Sequence, residues 1–428
     1  MQEERSFRSS LALISIAFLL WGVFRSLDDI LIALFRGTAP FGYAVSMLVH
    51  FSFFLAYLLV SMPAGVLARR WGYRTSIAGS TLLMAFGTAV CVPAARAHSF
   101  PLCLAGVFLV AAGIAALQTS ANPCIALLGP ARSAMHRLLV VQSFNSLGCV
   151  LGPLTGPLLF PRLLRASGIV FPGVWLGRIY AALTLCLVLL CLGFPLVFKA
   201  PPAGMRGQRA LNIASFLSSR RLVFGFVAIF LYVGAEATIL GHAILYLTRN
   251  GGAAMQPRTA AMLLSLYWGA CIVGRMGAVT FLRRMNARTL LRTAALMAFF
   301  LLQGALFLPG APGAMCLLAT GLCNAVIFPT IFSLSMSGLA KSDLPAASGM
   351  LTTAISGGAL LPLLSGWMAD HFGIAAAFYP PSVAYLILGV CAAIWLPLNY
   401  HLPNPHLAVA TTAQWAEREL IWRTPESG

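Results

Sequence analysis

Apolar runs long enough to cross a bilayer recur twelve times along this chain and leave room for little else. They fall at about 9–35, 42–68, 75–94, 100–128, 136–160 and 174–198, then at 221–247, 258–282, 289–309, 312–339, 344–369 and 374–397. A helix needs about 20 apolar residues to span the hydrocarbon core. Lipid offers the backbone no hydrogen bonds, so only helices or closed barrels cross it. Barrel strands alternate polar and apolar residues, whereas these runs are solidly apolar. The fold class is therefore an all-α membrane protein with twelve transmembrane helices. Only 9% of the 428 residues are charged, against about 25% in a soluble chain. That excludes a soluble enzyme, a nucleic-acid-binding domain and a secreted disulfide-rich domain.

Arg5 and Arg8 precede the first run as they would in a signal peptide. No small-residue cleavage site follows, and Glu3 and Glu4 offset the arginines, so the run reads as a retained first helix. The net charge of +18 reports topology here, because basic loops stay on the cytoplasmic side. With the N-terminus inside, 19 of the 28 basic residues lie on that side, among them Arg69, Arg70, Arg74, Arg137, Arg283, Arg284, Arg288 and Lys341. Both termini are then cytoplasmic, in a multi-pass protein of the cell (inner) membrane. The expected organisation is an N-terminal six-helix bundle over 1–199, a cytoplasmic linker over 200–220, a C-terminal bundle over 221–397 and a cytoplasmic tail over 398–428.

The halves echo each other. Gly148 and Pro153 in the fifth run recur as Gly357 and Pro362 in the eleventh, at a constant offset of 209, and Arg69-Arg70 recurs as Arg283-Arg284. Parallel six-helix repeats related by a pseudo-two-fold axis place a binding site near the bilayer midplane.

Polar residues within the runs mark that site. Of ten acids, only Asp28, Asp29 and Glu236 lie inside spans. An ionised side chain at mid-membrane costs about 3 kcal/mol on insertion scales, so such groups face a cavity or an ion partner. Asp29 and Glu236 are the candidate proton-coupling residues. Arg25, four residues before Asp29, either pairs with an acid along the helix or faces the cavity and meets an anionic solute. Gln118, Thr119 and Asn122 cluster in the fourth run, and Gln142, Ser143, Asn145 and Ser146 in the fifth. Amides suit sugar hydroxyls, and Trp21, Phe54 and Tyr57 suit a sugar's apolar face. The substrate-binding candidates are thus Arg25, Tyr57, Gln118, Asn122, Gln142 and Asn145; interhelical hydrogen bonding is the alternative for the amides. His50 stands alone. Gly148-x-x-x-Gly152-Pro153 permits a bend or close packing, and also resembles the antiporter motif of drug/proton exchangers. The ten cysteines form no CxxC pair and read as packing residues. No metal or cofactor motif is present.

With these residues laid out, the chain resembles the fucose permease branch of the major facilitator superfamily, the fucose–galactose–glucose:proton symporters. The words that carry the resemblance are FLLWGVFRSLDDIL (18–31), MPAGVLARRWGYR (62–74), ALQTSANPCIALLGP (116–130), VVQSFNSLG (140–148), YVGAEAT (232–238), IVGRMG (272–277), IFPTIFSLS (327–335) and SGG (356–358). The resemblance implies that Asp29 matches the family's helix-one acid, and that Gln142 and the Asn122-Pro123 step line the sugar cavity. Glu236 falls in a word shared by glucose and galactose members. The chain departs from the family pattern at Gln118, where a glutamate is usual, and at Arg25 and Asp28, where neutral amides are usual.

Two functions remain open at this point. One is proton-coupled transport of a fucose, galactose or glucose-class sugar by alternating access, with a small-molecule solute, protons and the lipid bilayer as partners and the chain a monomer. The other is an exporter or a carrier of an anionic sugar derivative or other metabolite. An integral membrane enzyme lacks any supporting motif.

Overall fold

A computed structural model describes residues 2–38, 48–97, 99–128, 134–159, 173–198, 213–249, 255–281, 285–308, 310–340 and 343–394. Every described run of regular structure is helical, as backbone buried in lipid demands. Nine helices among the described residues are long and apolar enough to cross a membrane, and Arg137–Gly152 and Met262–Ala278 add two shorter apolar stretches. One of the nine, Leu48–Arg96, holds both the second and third spans. They meet at Gly72, whose φ of 81° lies in the left-handed region that a side chain disfavours. Glycine there lets two spans join with no intervening loop.

The remaining spans follow the hydropathy runs closely. The first lies within Gln2–Thr38, the fourth is Phe100–Leu127, the fifth Ala134–Leu159 and the sixth Gly173–Val197. The seventh is Arg220–Arg249, the eighth Pro257–Phe281, the ninth Ala287–Phe307 and the tenth Ala311–Met336. The eleventh runs from Leu344–Thr353 through a 3-10 turn, Ala354–Ser356, into Gly357–Phe372, and the twelfth is Tyr379–Ile394. The polar linker contains one element that sequence reading did not anticipate, the helix Ile213–Ser218, whose Phe216 packs edge-on against Phe226 at 6.3 Å. The residues before it, 199–212, and the tail from 395 lie outside the described residues.

The repeat seen in the sequence reappears as packing. A side chain on Gly148 of the fifth span would collide with the first-span backbone at Leu19 and Val23. Its counterpart Gly357 in the eleventh span sits equally hard against Phe230 of the seventh. Gly22 and Gly152 extend the first contact, meeting Asn145 and Ser26. Small residues let membrane helices approach to backbone contact. The Gly148–Gly152 pattern is therefore the seam between the first and fifth spans.

Candidate functional site

Where the first six spans face the second six, a cavity encloses about 700 Å³ of empty space, its mouth included. Its walls come from both halves. Trp21, Arg25, Phe53, Phe54, Tyr57, Gln118, Gln142 and Asn145 face Tyr232, Val233, Glu236, Trp268, Arg275 and Phe328 across it. Helix periodicity explains the selection. Trp21 and Arg25 are one turn apart on the first span, and Tyr232 and Glu236 one turn apart on the seventh.

On the first-half wall, Gln118 donates from Nε2 to the Tyr57 hydroxyl at 2.6 Å, both side chains buried. Asn145 donates from Nδ2 to the Phe18 carbonyl at 3.3 Å, tying the fifth span to the first. The Arg25 guanidinium lies over the rings of Phe53 and Phe54, 5.5 and 5.8 Å from their centroids, within cation–π range.

On the second-half wall, Glu236 ends a chain of hydrogen bonds that all run one way. Tyr385 donates to Asn324 Oδ1 at 2.7 Å, and Asn324 Nδ2 donates to the Tyr267 hydroxyl at 2.7 Å. The Tyr267 hydroxyl in turn donates to Glu236 Oε1 at 3.2 Å. Tyr232 fixes the tenth span from the other side, donating to the Asn324 carbonyl at 3.0 Å. The carboxyl is thus bonded by Tyr267 of the eighth span, which side chains of the tenth and twelfth spans hold in turn.

Of the eight residues singled out from the sequence, the structure brings Arg25, Tyr57, Gln118, Gln142, Asn145 and Glu236 to this one cavity. Asn122 is not on its wall. It lies one turn beyond Gln118, 1% exposed, with neither amide atom partnered among the described residues. The side chains of Asp28 and Asp29 lie outside the described residues, although the first helix continues through them. His50 is fully buried and packs edge-on against Phe54 at 6.0 Å.

Sequence reading passed over Arg275, Trp268, Tyr267, Asn324 and Tyr385. For Arg275 the signal was present: an arginine inside a span carries the same desolvation cost as the acids. No group of three or more His, Cys, Asp or Glu side chains is placed to hold a metal among the described residues.

Comparison with known proteins decides the family. The family model of the Major Facilitator Superfamily matches residues 10–361. The chain belongs to the major facilitator superfamily. It is 33% identical over 392 residues to the glucose/galactose transporter of Brucella abortus, covering 89% of this chain and 93% of that one. It is 27% identical over 418 residues to the L-fucose-proton symporter of Escherichia coli, covering 91% and 94%. Among solved structures, this superfamily member superposes on the transporter FucP in the outward conformation with a TM-score of 0.73. The two are 26% identical, over 92% of this chain and all of the other.

Proposed function

We propose that this protein is a secondary active transporter that carries a neutral sugar of the glucose, galactose or fucose class together with protons, by alternating access of the central cavity. The observation that carries the reading is the cavity wall itself. Amides and aromatic rings, the surfaces a sugar presents hydroxyls and C–H faces to, surround the Glu236 carboxyl, which a directed hydrogen-bond chain holds. Relatives named as glucose/galactose transporter and L-fucose-proton symporter support it.

In this reading Tyr57, Gln118, Gln142 and Asn145 bind hydroxyls, with Asn122 acting from behind the wall. Glu236 and Asp29 carry the coupled proton. Gln118 occupies the place of a titrating acid without being able to titrate, which puts the second proton site on Glu236. Residues 1–199 and 221–397 form the rocking units joined by 200–220, the chain acts as a monomer in the inner membrane, and both termini and the 398–428 tail are cytoplasmic.

The test is uptake into proteoliposomes under an imposed proton gradient, with labelled glucose, galactose and fucose. The intact protein accumulates at least one of them above equilibrium. Asp29→Asn and Glu236→Gln abolish accumulation while leaving counterflow exchange; accumulation unchanged in both variants refutes the coupling. A labelled sugar acid in the same panel tests the second reading, which rests on Arg25 and Arg275 both facing the cavity. Uptake of the acid alone, lost in Arg25→Gln, would establish that reading instead.

A further inference from the structure

Among the described residues, prolines create part of the chemistry that ties the two halves together. Proline lacks the N–H that would donate to the carbonyl four residues earlier. Pro123 therefore frees the carbonyl of Thr119, and Pro329, the pseudo-equivalent residue of the tenth span, frees that of Ala325. Neither acceptor is left empty. Ser348 of the eleventh span donates to Thr119 O at 3.0 Å, crossing from one half to the other. Arg275 of the eighth span donates from Nε to Ala325 O at 3.3 Å. Its Nη1 then crosses to the fifth span, donating to the carbonyl of Gln142 at 2.5 Å and to the hydroxyl of Ser146.

These ties close the end of the cavity nearest the face that bears Arg69, Arg70, Arg137 and Arg288: Arg275 and Gln142 belong to its wall, and Thr119 follows the wall residue Gln118. Along the second span Ser61 and Gly65 follow the cavity residue Tyr57, about 6 and 12 Å further toward that face at 1.5 Å per residue. There the second span meets the eleventh at backbone contact: a side chain on Gly65 would sit 2.8 Å from the Pro345 carbonyl, and one on Gly349 would sit 2.9 Å from that of Ser61. The side is shut. Arg275 is 8% exposed, and its guanidinium bridges three acceptors in two halves. Its partner Gln142 also contributes to the cavity wall.

We propose that Arg275 is a positioning residue, the latch that holds the arginine-rich side closed. Its release from Gln142 and Ser146 accompanies the opening of that side. The latch sits in the turn that carries Gln142, so solute bound against that amide acts on the same backbone. The inference rests on the transport reading for its purpose, but the gate is read without any solute.

The experiment places Ser61→Cys, buried in the closed seam, in the full-length protein and follows its alkylation by a small hydrophilic maleimide, resolved peptide by peptide by mass spectrometry. Adding Arg275→Gln speeds alkylation on the order of tenfold, the size expected from losing a charged hydrogen bond. Arg275→Lys, which keeps one donor, restores part of the protection. Ser146→Ala, which leaves the arginine in place, gives a smaller increase and serves if Arg275→Gln does not fold. Cys91, packed against Gly106 inside the first half, reacts as slowly as before in each variant. Unchanged alkylation at position 61 overturns the latch. So does an increase matched at Cys91, which would mean general loosening. A closed gate in Arg275→Gln with sugar transport lost would make Arg275 a solute ligand; failure of sugar transport in the intact protein, with the alkylation pattern as expected, would refute the solute and keep the latch.

Discussion

Asn122 carries a cost that its neighbour Gln118 avoids. Gln118 spends its amide on Tyr57, whereas both amide atoms of Asn122 are buried without a partner among the described residues. A buried polar group without a partner costs about 1–3 kcal/mol. A conformation in which the halves have shifted past each other would be one way to supply the missing partner. Asn122→Leu, similar in volume and free of polar atoms, should therefore leave the thermal midpoint of this conformation no lower and slow sugar exchange severalfold. A midpoint several degrees lower would show the amide to be bonded here. The first-half wall was readable in the sequence because its polar residues cluster within one turn, as Gln142 and Asn145 do. On the second-half wall only the acid Glu236 was readable, since Tyr267, Asn324 and Tyr385, which carry its hydrogen-bond chain, come from three further spans. A tyrosine in an apolar run looks like packing until its hydroxyl is seen to donate.

Helix ends explain basic residues that the sequence had assigned to topology alone. The last carbonyls of a helix have no intrahelical donor, and a cation there also meets the negative end of the helix dipole. Arg288, opening the ninth span, donates to the carbonyls of Ala392 and Ala393 at the end of the twelfth. Arg74, opening the third, donates to Pro195 O at the end of the sixth, the matching pair in the first half. Arg137 does the same for the fourth span, reaching Ile125 O at 2.9 Å and Ala126 O at 2.7 Å. Counting such residues predicted which loops share a face, but not that each is a cap, and for Arg74 and Arg288 the capped helix is more than a hundred residues away. Arg288→Gln should lower stability by about 1.5–3 kcal/mol, the worth of charged hydrogen bonds, and lower the thermal midpoint in detergent by several degrees. Arg292→Gln, an exposed arginine one turn along the same helix, removes the same charge and should leave the midpoint within a degree. Equal losses from the two would make charge, not capping, the cause.

Across the whole molecule, glycine appears in two kinds of seam that must behave differently if the halves rock as units. Gly148 binds the fifth span to the first within one half, and Gly357 binds the eleventh to the seventh within the other; those contacts hold through the cycle. Gly65 and Gly349 join the second span to the eleventh across the halves, and that contact must part when the arginine-rich side opens. The offset of 209 made the internal seams legible from sequence. The seams between halves, second to eleventh and eighth to fifth, obey the same repeat, but whether they are closed depends on the state, and a two-state element has no single signature in sequence. A wedge distinguishes them. At Gly148 a new Cβ lies 2.8 Å from the Val23 amide nitrogen and 3.0 Å from Gly22 Cα, with only backbone to give way. Gly148→Val should therefore fail to fold or lose many degrees of thermal stability. At Gly65 the new group meets the Pro345 carbonyl of the opposite half, and the halves can part to relieve it. Gly65→Val should then fold, keep most of its thermal stability and populate the form open on the arginine-rich side. A spin-label pair across the second and eleventh spans would report the longer distance. Gly65→Val as unstable as Gly148→Val, with no change in distance, would make the second–eleventh contact part of a fixed core rather than a gate.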